Sequence, residues 1–384
     1  MHPQTSFAFP APLIVLSFIM LLFQSGPAMG EAGAAFQSTE VHADGSITFR
    51  FQDPSAKKVL LHLDGFKDPF AMKKGAENVW SVVSPALSPE IYGYSFEVDG
   101  QPRNDPKNPA TTPNLIFFGN MVTVPGATPQ LWEAQDVPHG VVHHHFYKSK
   151  IVQDLPGGQS EFYVYTPPLY EPSKATAYPV FYLLHGWSDM ANGWTAVGKA
   201  NFIFDNLIAA GQMKPMVVVM PLGYGDIKFV SGGENMWNDN AAIHQNVDLF
   251  SQTLLSELIP QVESLYHVSQ DKDDRAIAGL SMGGLESLTI GLTHPERFGW
   301  IGGFSSALGH HDEEQFAQLT HKPTGLHLLW IACGTEDRLI TPNRAFTAWL
   351  KSNNIPLTEI ETPGMHTWMV WRDNLAHFAP LLFR

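Results

Sequence analysis

The sequence of 384 residues contains one cysteine, Cys333, so no disulfide can form within the chain and the fold depends on its hydrophobic core. Cys333 ends the apolar run LHLLWIAC, which predicts a buried, unreactive thiol. No stretch is rich in lysine or arginine, and 23 basic against 37 acidic residues give a formal net charge of −14. An acidic surface repels phosphates, so we expect no nucleic-acid partner. Beyond residue 23 no apolar run is long enough to span a bilayer, so we expect no membrane association of the mature protein.

The first 30 residues have the pattern of a secretory signal peptide. Residues 12–23, PLIVLSFIMLLF, form an apolar segment that is short for a membrane span, and Ala28-Met29-Gly30 fits a small-x-small cleavage site. The segment before the apolar run has no Lys or Arg, which leaves an uncleaved membrane anchor as the alternative. The pattern favours cleavage and a secreted or periplasmic location.

Two regions of different periodicity follow. Residues 36–125 contain short strand-like runs, with hairpin signals at Asp44-Gly45 and Asp99-Gly100, and predict a small immunoglobulin-like β-sandwich. Residues 126–140 are interpreted as a linker. Residues 141–384 alternate apolar strands with helices, which predicts a mostly parallel, doubly wound sheet of the α/β-hydrolase type.

A five-residue motif in the second region has the context of a nucleophile elbow. Gly279-Leu280-Ser281-Met282-Gly283 ends a short apolar strand and precedes a run typical of a helix. A sharp strand-to-helix turn needs small neighbours, because a Cβ at either glycine would collide with the flanking elements. The turn would raise the Ser281 hydroxyl above the sheet. The alternative is a glycine-rich turn without function.

A serine hydroxyl needs a base, which in this sheet type follows the nucleophile in the order Ser, Asp or Glu, His. The strand LHLLWIACG leads to Glu336-Asp337, and PLTEIETPG leads to His366. We predict Ser281, Asp337 and His366 as the catalytic residues, with Asp337 preferred over Glu336. The alternatives are two solvated loop acids and a histidine that only caps a helix.

Two amides are predicted to stabilise a developing oxyanion. The Met282 amide would lie at a helix N-terminus, where it is free to donate to an anion. The second candidate is the Trp187 amide, in the loop after the strand YLLHGW, where Gly186 allows a close approach of the backbone. The Trp187 side chain either lines the acyl pocket or packs.

A group of consecutive histidines, His143, His144 and His145, raises the question of a metal site. Adjacent residues on a strand point to opposite faces, so three in a row do not readily bind one ion. We therefore expect no metal, and no feature of the sequence calls for a cofactor.

The segments YLLHGWSD, AIAGLSMGGLESLTIGLTHPERFGWIGGFSS, CGTEDRL and PGMHTWMVWRDNL together resemble the esterase D-like family, which includes carbohydrate esterase family 1 with its feruloyl and acetyl-xylan esterases. The resemblance covers residues 140–384 and implies the same catalytic and oxyanion-hole residues. The N-terminal region resembles an early-set, immunoglobulin-like domain related to carbohydrate-binding module family 48, in the segments GSITFRFQDPSAKKVLLH, VWSVV, IYGYSFEVDG and NDPKNP. Its aromatic residues Trp80, Tyr92 and Tyr94 either stack on sugars or form the core of the sandwich.

These features predict a secreted serine esterase that removes feruloyl or acetyl groups from plant polysaccharide, with a polysaccharide or a small ester as its partner. Alternatives are a siderophore esterase, a peptidase, and a glycan-binding protein with an inactive hydrolase fold. Four tryptophans are candidate substrate contacts that would suit a cinnamoyl ring or merely pack: Trp187, Trp194, Trp237 and Trp371.

Overall fold

The computed structural model describes residues 36–309 and 325–384. The predicted signal peptide, residues 1–30, lies outside the described residues. Within the described ranges, no helix has the length and apolar character needed to cross a membrane. Residues Gln37–Arg384 pack as one compact unit.

The N-terminal region is a sandwich of two antiparallel sheets. One sheet has the strand order β1 (Thr39–Val41), β2 (Ile47–Gln52), β6 (Val79–Val83), β5 (Lys73–Lys74). The other has the order β4 (Phe70–Ala71), β3 (Val59–Leu63), β7 (Glu90–Val98), β10 (Gly119–Val124), β9 (Thr111–Thr112), with β8 (Gln101–Arg103) also paired to β7. A short 3₁₀ helix covers Ala76–Asn78.

Alternating apolar residues hold the two sheets of the sandwich together. Phe49 of β2 meets Tyr94 of β7 with ring centroids 5.0 Å apart, and Phe51 meets Phe96 at 4.7 Å. The hairpin predicted at Asp99-Gly100 is confirmed: both residues have positive φ, 51° and 82°, and they join β7 to β8. Trp80, Tyr92 and Tyr94, considered as sugar-stacking residues, are buried in this core and present no face to a glycan.

The second region is built on one eight-stranded sheet. Its strand order is β11 (Val141–Lys148), β12 (Gln159–Thr166), β14 (Val217–Pro221), β13 (Val180–Leu184), β15 (Arg275–Leu280), β16 (Trp300–Phe304), β17 (Leu328–Gly334), β18 (Thr358–Thr362). Strands β13 to β18 run parallel to one another, whereas β12 pairs antiparallel with both β11 and β14. The predicted α/β-hydrolase fold, mostly parallel and preceded by a sandwich, is thus observed.

Helices cover both faces of this sheet. They are α1 (Gly193–Ala196), α2 (Ala200–Ala209), α3 (Lys228–Ser231), α4 (Asn240–Thr253), α5 (Ile259–Leu265), α6 (Met282–Thr293), α7 (Ile340–Ser352) and α8 (Trp368–Phe378). Shorter 3₁₀ turns cover Pro156–Gly158, Glu234–Asn238, Lys272–Asp274 and Ala379–Leu381. A π-helical turn, Leu254–Leu258, separates α4 from α5 next to Pro260, which lacks the N–H needed to continue a regular helix.

The central strands are buried on both faces, which explains their nearly continuous apolar sequences. Every residue of β13 and β15 is buried, between one apolar cluster with α2 and α8 and another with α4 and α6. Cys333 of β17 is also buried, and burial raises the pKa of its thiol to about 12, in keeping with the inert thiol that the sequence predicts.

The predicted linker, residues 126–140, contains no helix or strand but packs against the α/β region. Trp132 is buried in the apolar cluster that holds α2 and α8. The Asn206 side chain donates to the carbonyls of Leu131 and Glu133 at 2.8 and 2.9 Å. This connection therefore has a fixed course along the second region.

A buried cation ties the sandwich to α8. The Arg372 guanidinium is 2% exposed and donates to Glu90 Oε1 at 3.0 Å and to the Ile91 carbonyl at 2.6 Å, both at the start of β7. It also donates to the Val197 carbonyl at 3.0 Å. Because α8 begins two residues after His366, the sandwich is braced against the element that carries the predicted base.

Candidate active site

Ser281 occupies the sharp turn between β15 and α6. Its φ is 51°, a strained value for a residue other than glycine, and its ψ is −114°. A Cβ on Gly279 would lie 2.4 Å from the Gly283 carbonyl oxygen, and one on Gly283 would lie 2.5 Å from the His185 carbonyl oxygen. Only glycine fits at either position, which is the steric reason for the elbow motif.

The three predicted catalytic side chains form one hydrogen-bonded chain. His366 Nε2 lies 3.0 Å from Ser281 Oγ, and His366 Nδ1 lies 2.8 Å from Asp337 Oδ2 and 3.1 Å from Oδ1. The three residues come from loops after β15, β17 and β18, at the carboxyl ends of parallel strands. The structure therefore brings the predicted nucleophile, base and acid together with the geometry of acyl transfer to serine.

The environment of Asp337 favours its charged form. Its side chain is fully buried, which opposes ionisation, but the hydrogen bond and charge of His366 and the Leu339 amide at 2.8 Å lower its pKa below the usual value. Glu336, the alternative acid, instead accepts from the Gly364 amide at 2.7 Å. Glu336 thus braces the loop that carries His366, and Asp337 is the acid that contacts the imidazole.

Residues 186–189, the oxyanion loop, lie beside the nucleophile. A Cβ on Gly186 would come within 2.6 Å of Leu280 Cδ1 and 3.4 Å of Ser281 Cβ, so the loop backbone passes directly by the elbow. The Met282 amide belongs to the first turn of α6, where amides have no acceptor within the helix. Met282 follows Ser281 in the chain, and Trp187 follows the glycine whose backbone passes by Ser281, so the oxyanion-hole role of the two amides remains a prediction.

The four candidate substrate tryptophans occupy different environments. Trp187 and Trp237 are half-buried and both contact Phe229, since Trp187 Nε1 donates to its carbonyl at 3.0 Å and the Trp237 ring lies 4.9 Å from its ring. Trp371 is largely buried, with its ring 4.9 Å from the His366 imidazole. For these three, substrate contact remains a prediction.

Trp194 does not fit the role of a substrate contact. Its side chain is completely buried, and its Nε1 donates to the Leu184 carbonyl at 2.9 Å. It packs on Trp368 and Phe304 in the core. The prediction was wrong because proximity in sequence to the YLLHGW motif does not fix the direction of a side chain.

Sequence reasoning missed Asp189, a buried carboxyl at the end of the oxyanion loop. Burial without a cation beside it raises the pKa of Asp189 to about 7, and its Oδ2 accepts from the Gly186 amide at 3.3 Å. Tyr224 donates its hydroxyl to the Asp189 carbonyl at 3.1 Å. The only available signal was its place, two residues after Trp187 in YLLHGWSD.

A second buried group lies beneath the same loop. Burial lowers the pKa of His185 to about 4, and its Nε2 accepts from the Gly223 amide at 2.9 Å, so the ring is neutral. Nearby, burial holds the pKa of Glu286 well above its usual value. Neither side chain belongs to the hydrogen-bonded chain of Ser281, His366 and Asp337.

The histidines considered as metal ligands divide between two faces of β11. His143 and His145 lie on one face, where His145 Nε2 is 2.6 Å from the Tyr266 hydroxyl. His144 lies on the other face and pairs with Glu161 at 2.7 Å. Within residues 36–309 and 325–384, no group of three or more His, Cys, Asp or Glu side chains has a metal-binding arrangement.

Comparison with known proteins defines the family. Residues 154–381, more than half of the chain, match the family described as Esterase. The chain belongs to the Esterase family. It is 30% identical over 357 residues, 90% of its length, to an endo-1,4-beta-xylanase/feruloyl esterase of Xylanibacter ruminicola, of which it spans 46%. It is 23% identical to an acetyl esterase of Caldicellulosiruptor saccharolyticus over 51% of this chain and 80% of that protein.

Solved structures support the fold of this Esterase-family chain. A CE1 ferulic acid esterase from the anaerobic fungus Anaeromyces mucronatus superposes with a TM-score of 0.58 and 24% identity, over 67% of this chain and 96% of that one. An enterobactin esterase from Shigella flexneri superposes with a TM-score of 0.66 and 19% identity, over 87% and 92% of the two chains. The family match agrees with the esterase that the sequence predicted, and the superpositions agree with the predicted fold.

Proposed function

We propose that this esterase removes feruloyl or acetyl groups from plant cell-wall polysaccharide after export from the cytoplasm. The observation that carries the reaction type is the hydrogen-bonded chain from Ser281 through His366 to Asp337. Support for the substrate comes from the relative named endo-1,4-beta-xylanase/feruloyl esterase, to which 90% of this chain is similar. Support for export comes from the leader pattern of residues 1–30.

In the proposed reaction the Ser281 oxygen attacks the ester carbonyl while His366 Nε2 takes its proton. The carbonyl oxygen becomes an oxyanion that the Met282 and Trp187 amides stabilise. The intermediate then collapses, the C–O bond to the alcohol breaks, and His366 returns the proton to the departing alcohol. Water activated by His366 adds to the acyl-serine and releases the carboxylic acid and free Ser281. Asp337 holds the imidazole tautomer and stabilises its cation throughout.

The first test removes the nucleophile. Ser281→Ala should lower kcat for p-nitrophenyl acetate by about 10⁵-fold or more, as for other serine hydrolases that lose this hydroxyl. The matched control is Ser287→Ala, which removes a buried hydroxyl from the same helix, where it donates to the Gly302 carbonyl at 2.7 Å. That control should keep kcat within about twofold in the folded protein. Ser281→Ala turnover within tenfold of the parent enzyme contradicts the assignment.

The second test addresses the substrate. Rates are compared for methyl ferulate, a feruloylated arabinoxylan oligosaccharide, acetylated xylan and ferric enterobactin, since solved enterobactin esterases share the two-region fold over 87% of this chain. The proposal expects the highest kcat/KM on the plant-derived esters. A kcat/KM on ferric enterobactin that exceeds all of these rejects the polysaccharide substrate while leaving the serine-esterase chemistry in place.

A further inference from the structure

The sandwich reaches the oxyanion loop through one short arm, residues 113–118, between β9 and β10. The Asn114 side-chain Nδ2 donates to Ser188 Oγ at 2.8 Å, and the Leu115 amide donates to the Ser188 carbonyl at 2.7 Å. Asn114 and Asp189 also form an isolated antiparallel bridge. A residue 74 positions earlier in the chain therefore contacts the loop that carries the Trp187 amide.

The orientation of the Asn114 amide is fixed by its own backbone turn. Its Oδ1 accepts from the Ile116 amide at 2.9 Å and from the Phe117 amide at 3.2 Å. With the oxygen engaged by two N–H donors, only the Nδ2 group is left to face Ser188. The arm consequently presents a rigid donor to the oxyanion loop, and little side-chain entropy is lost when the bond forms.

The oxyanion loop depends on external support because its internal restraints are weak. Ser188 has a φ of +69°, a conformation that costs a residue other than glycine about 1 kcal/mol or more. Two hydrogen bonds within the loop, from the Gly186 amide to Asp189 Oδ2 and from the Asp189 amide to the Gly186 carbonyl, are long at 3.3 and 3.2 Å. Tyr224 holds the loop through the Asp189 carbonyl, and Asn114 holds it through Ser188 and through a side-chain hydrogen bond to the Asp189 carboxyl. Trp187 lies between the residue that approaches Ser281 and the residue that the arm holds.

We propose that Asn114 of the N-terminal sandwich is a positioning residue for the oxyanion hole. It holds Ser188 in its strained conformation, and Ser188 in turn keeps the preceding Trp187 amide directed at the developing oxyanion. The effect of such a contact appears in transition-state stabilisation, because a preorganised donor acts on charge that is absent from the bound ester. The proposal rests on the serine-esterase reaction and is independent of which natural ester is cleaved.

The experiment uses the whole chain with p-nitrophenyl acetate as substrate and phenylboronic acid as a mimic of the tetrahedral oxyanion intermediate. Asn114→Ala should lower kcat/KM about tenfold, a fraction of the loss on removing a whole oxyanion donor. The inhibition constant of phenylboronic acid should rise by a similar factor. Assays run well below the melting temperature of each variant, so that loss of folded protein does not contribute.

The sandwich offers a matched control, Asn108→Ala. Asn108 makes the same kind of turn, since its Oδ1 accepts from the Ala110 amide at 2.9 Å, and its Nδ2 donates to the Tyr94 hydroxyl and the Met121 carbonyl, both at 2.8 Å. All its partners lie within the sandwich. Asn108→Ala should lower the melting temperature but change kcat/KM and boronate binding by less than about twofold.

Ser188→Ala completes a double-mutant cycle with Asn114→Ala. Because the two variants break the same hydrogen bond, the double variant should lose no more kcat/KM than Asn114→Ala alone. Three results overturn the proposal: Asn114→Ala turnover within twofold of the parent, equal losses in Asn114→Ala and Asn108→Ala, or a loss of kcat/KM without weaker boronate binding. If the unmodified chain cleaves p-nitrophenyl acetate but no natural ester tested, only the proposed substrate fails.

Discussion

Two loops on either side of Ser281 each hold a buried aspartate, and the pKa values of the two aspartates are shifted in opposite directions. Asp337, after β17, lies 2.8 Å from His366, and that contact lowers its pKa in spite of full burial. Asp189, after β13, has no cationic side chain among its described partners, and burial raises its pKa to about 7. The comparison teaches that, for these two buried carboxyls, the presence or absence of a cationic neighbour decides the direction of the pKa shift.

The largest effect expected from this comparison is on catalysis. Asp337→Asn keeps the size of the side chain but removes the charge that orients and stabilises the His366 imidazolium. We expect kcat for p-nitrophenyl acetate to fall by about 10³- to 10⁴-fold at neutral pH. In Asp189→Asn, which resembles the protonated acid, kcat at pH 6 should change far less, by less than about tenfold. Equal losses of kcat in Asp337→Asn and Asp189→Asn would contradict the different roles of the two aspartates.

The next effect extends the comparison to an acid away from the nucleophile. Glu90 resembles Asp337 in having a cationic partner, Arg372, although burial still raises the pKa of Glu90 above its usual value. Arg372→Met removes that partner and leaves Glu90, like Asp189, without a cation. Loss of one partner of a buried pair should cost about 3–5 kcal/mol of unfolding free energy at pH 7, measured by urea unfolding. The loss should be smaller at pH 5, where an unpaired Glu90 takes up a proton.

The matched control for that variant is Arg344→Met. Arg344 forms a two-pronged contact with Glu361, with both distances 2.6 Å, but its side chain is 54% exposed. Solvent weakens such a pair, so the expected loss is far smaller than that of Arg372→Met. Similar losses in Arg372→Met and Arg344→Met would contradict a structural role for the buried pair between the sandwich and α8.

The smallest effect concerns the pH dependence of stability. For Asp189 the folded pKa of about 7 exceeds the ordinary value of 3.8, so the folded state retains a proton that the unfolded chain releases. The protonated Asp189 therefore contributes favourably to the free energy of unfolding below pH 4. This contribution is lost as the pH rises to 7, by at most about 4 kcal/mol. Asp337 has the opposite sign, because its contribution is present above its ordinary pKa and is lost only in more acidic solution.

The measurement compares the unfolding free energies of the parent chain and Asp189→Asn between pH 4.5 and 7.5. The amide side chain of the variant cannot ionise, so the variant should gain stability relative to the parent as the pH rises. The difference between the two proteins isolates this one group from other buried acids such as Glu286. A difference that stays constant over this pH range would mean that Asp189 does not carry a raised pKa.

The fold was largely predictable because its central strands have nearly continuous apolar sequences. The predicted strand LHLLWIACG, residues 326–334, became β17 with its start shifted by two residues, since strands covered on both faces leave little room for polar residues. Strand β12, QSEFYVYT, was not predicted, although its inward residues alternate. Its half-polar pattern at the antiparallel side of the sheet gives a weaker signal than a continuous apolar run.

Position along the chain predicted the hydrogen-bonded residues better than it predicted the aromatic ones. Ser281, Asp337 and His366 follow parallel strands of one sheet, and such loops meet at the same edge whatever their side chains. Trp194 follows its strand by ten residues and turned into the core, because the direction of a side chain in an irregular segment depends on packing. For the same reason the sequence did not predict the contact of Asn114 with Ser188, which lies 74 residues away.

The sequence by itself determined the chemical groups of the site, their order along the chain and the glycines that allow the elbow, since these follow from residue type and local sterics. Only the tertiary structure decided that the pKa of Asp337 is lowered while that of Asp189 is raised, and that the sandwich contacts both the oxyanion loop and α8. Those outcomes depend on burial and on partners distant in the chain, because pKa values and preorganisation arise from the three-dimensional surroundings of a group rather than from its neighbours in sequence.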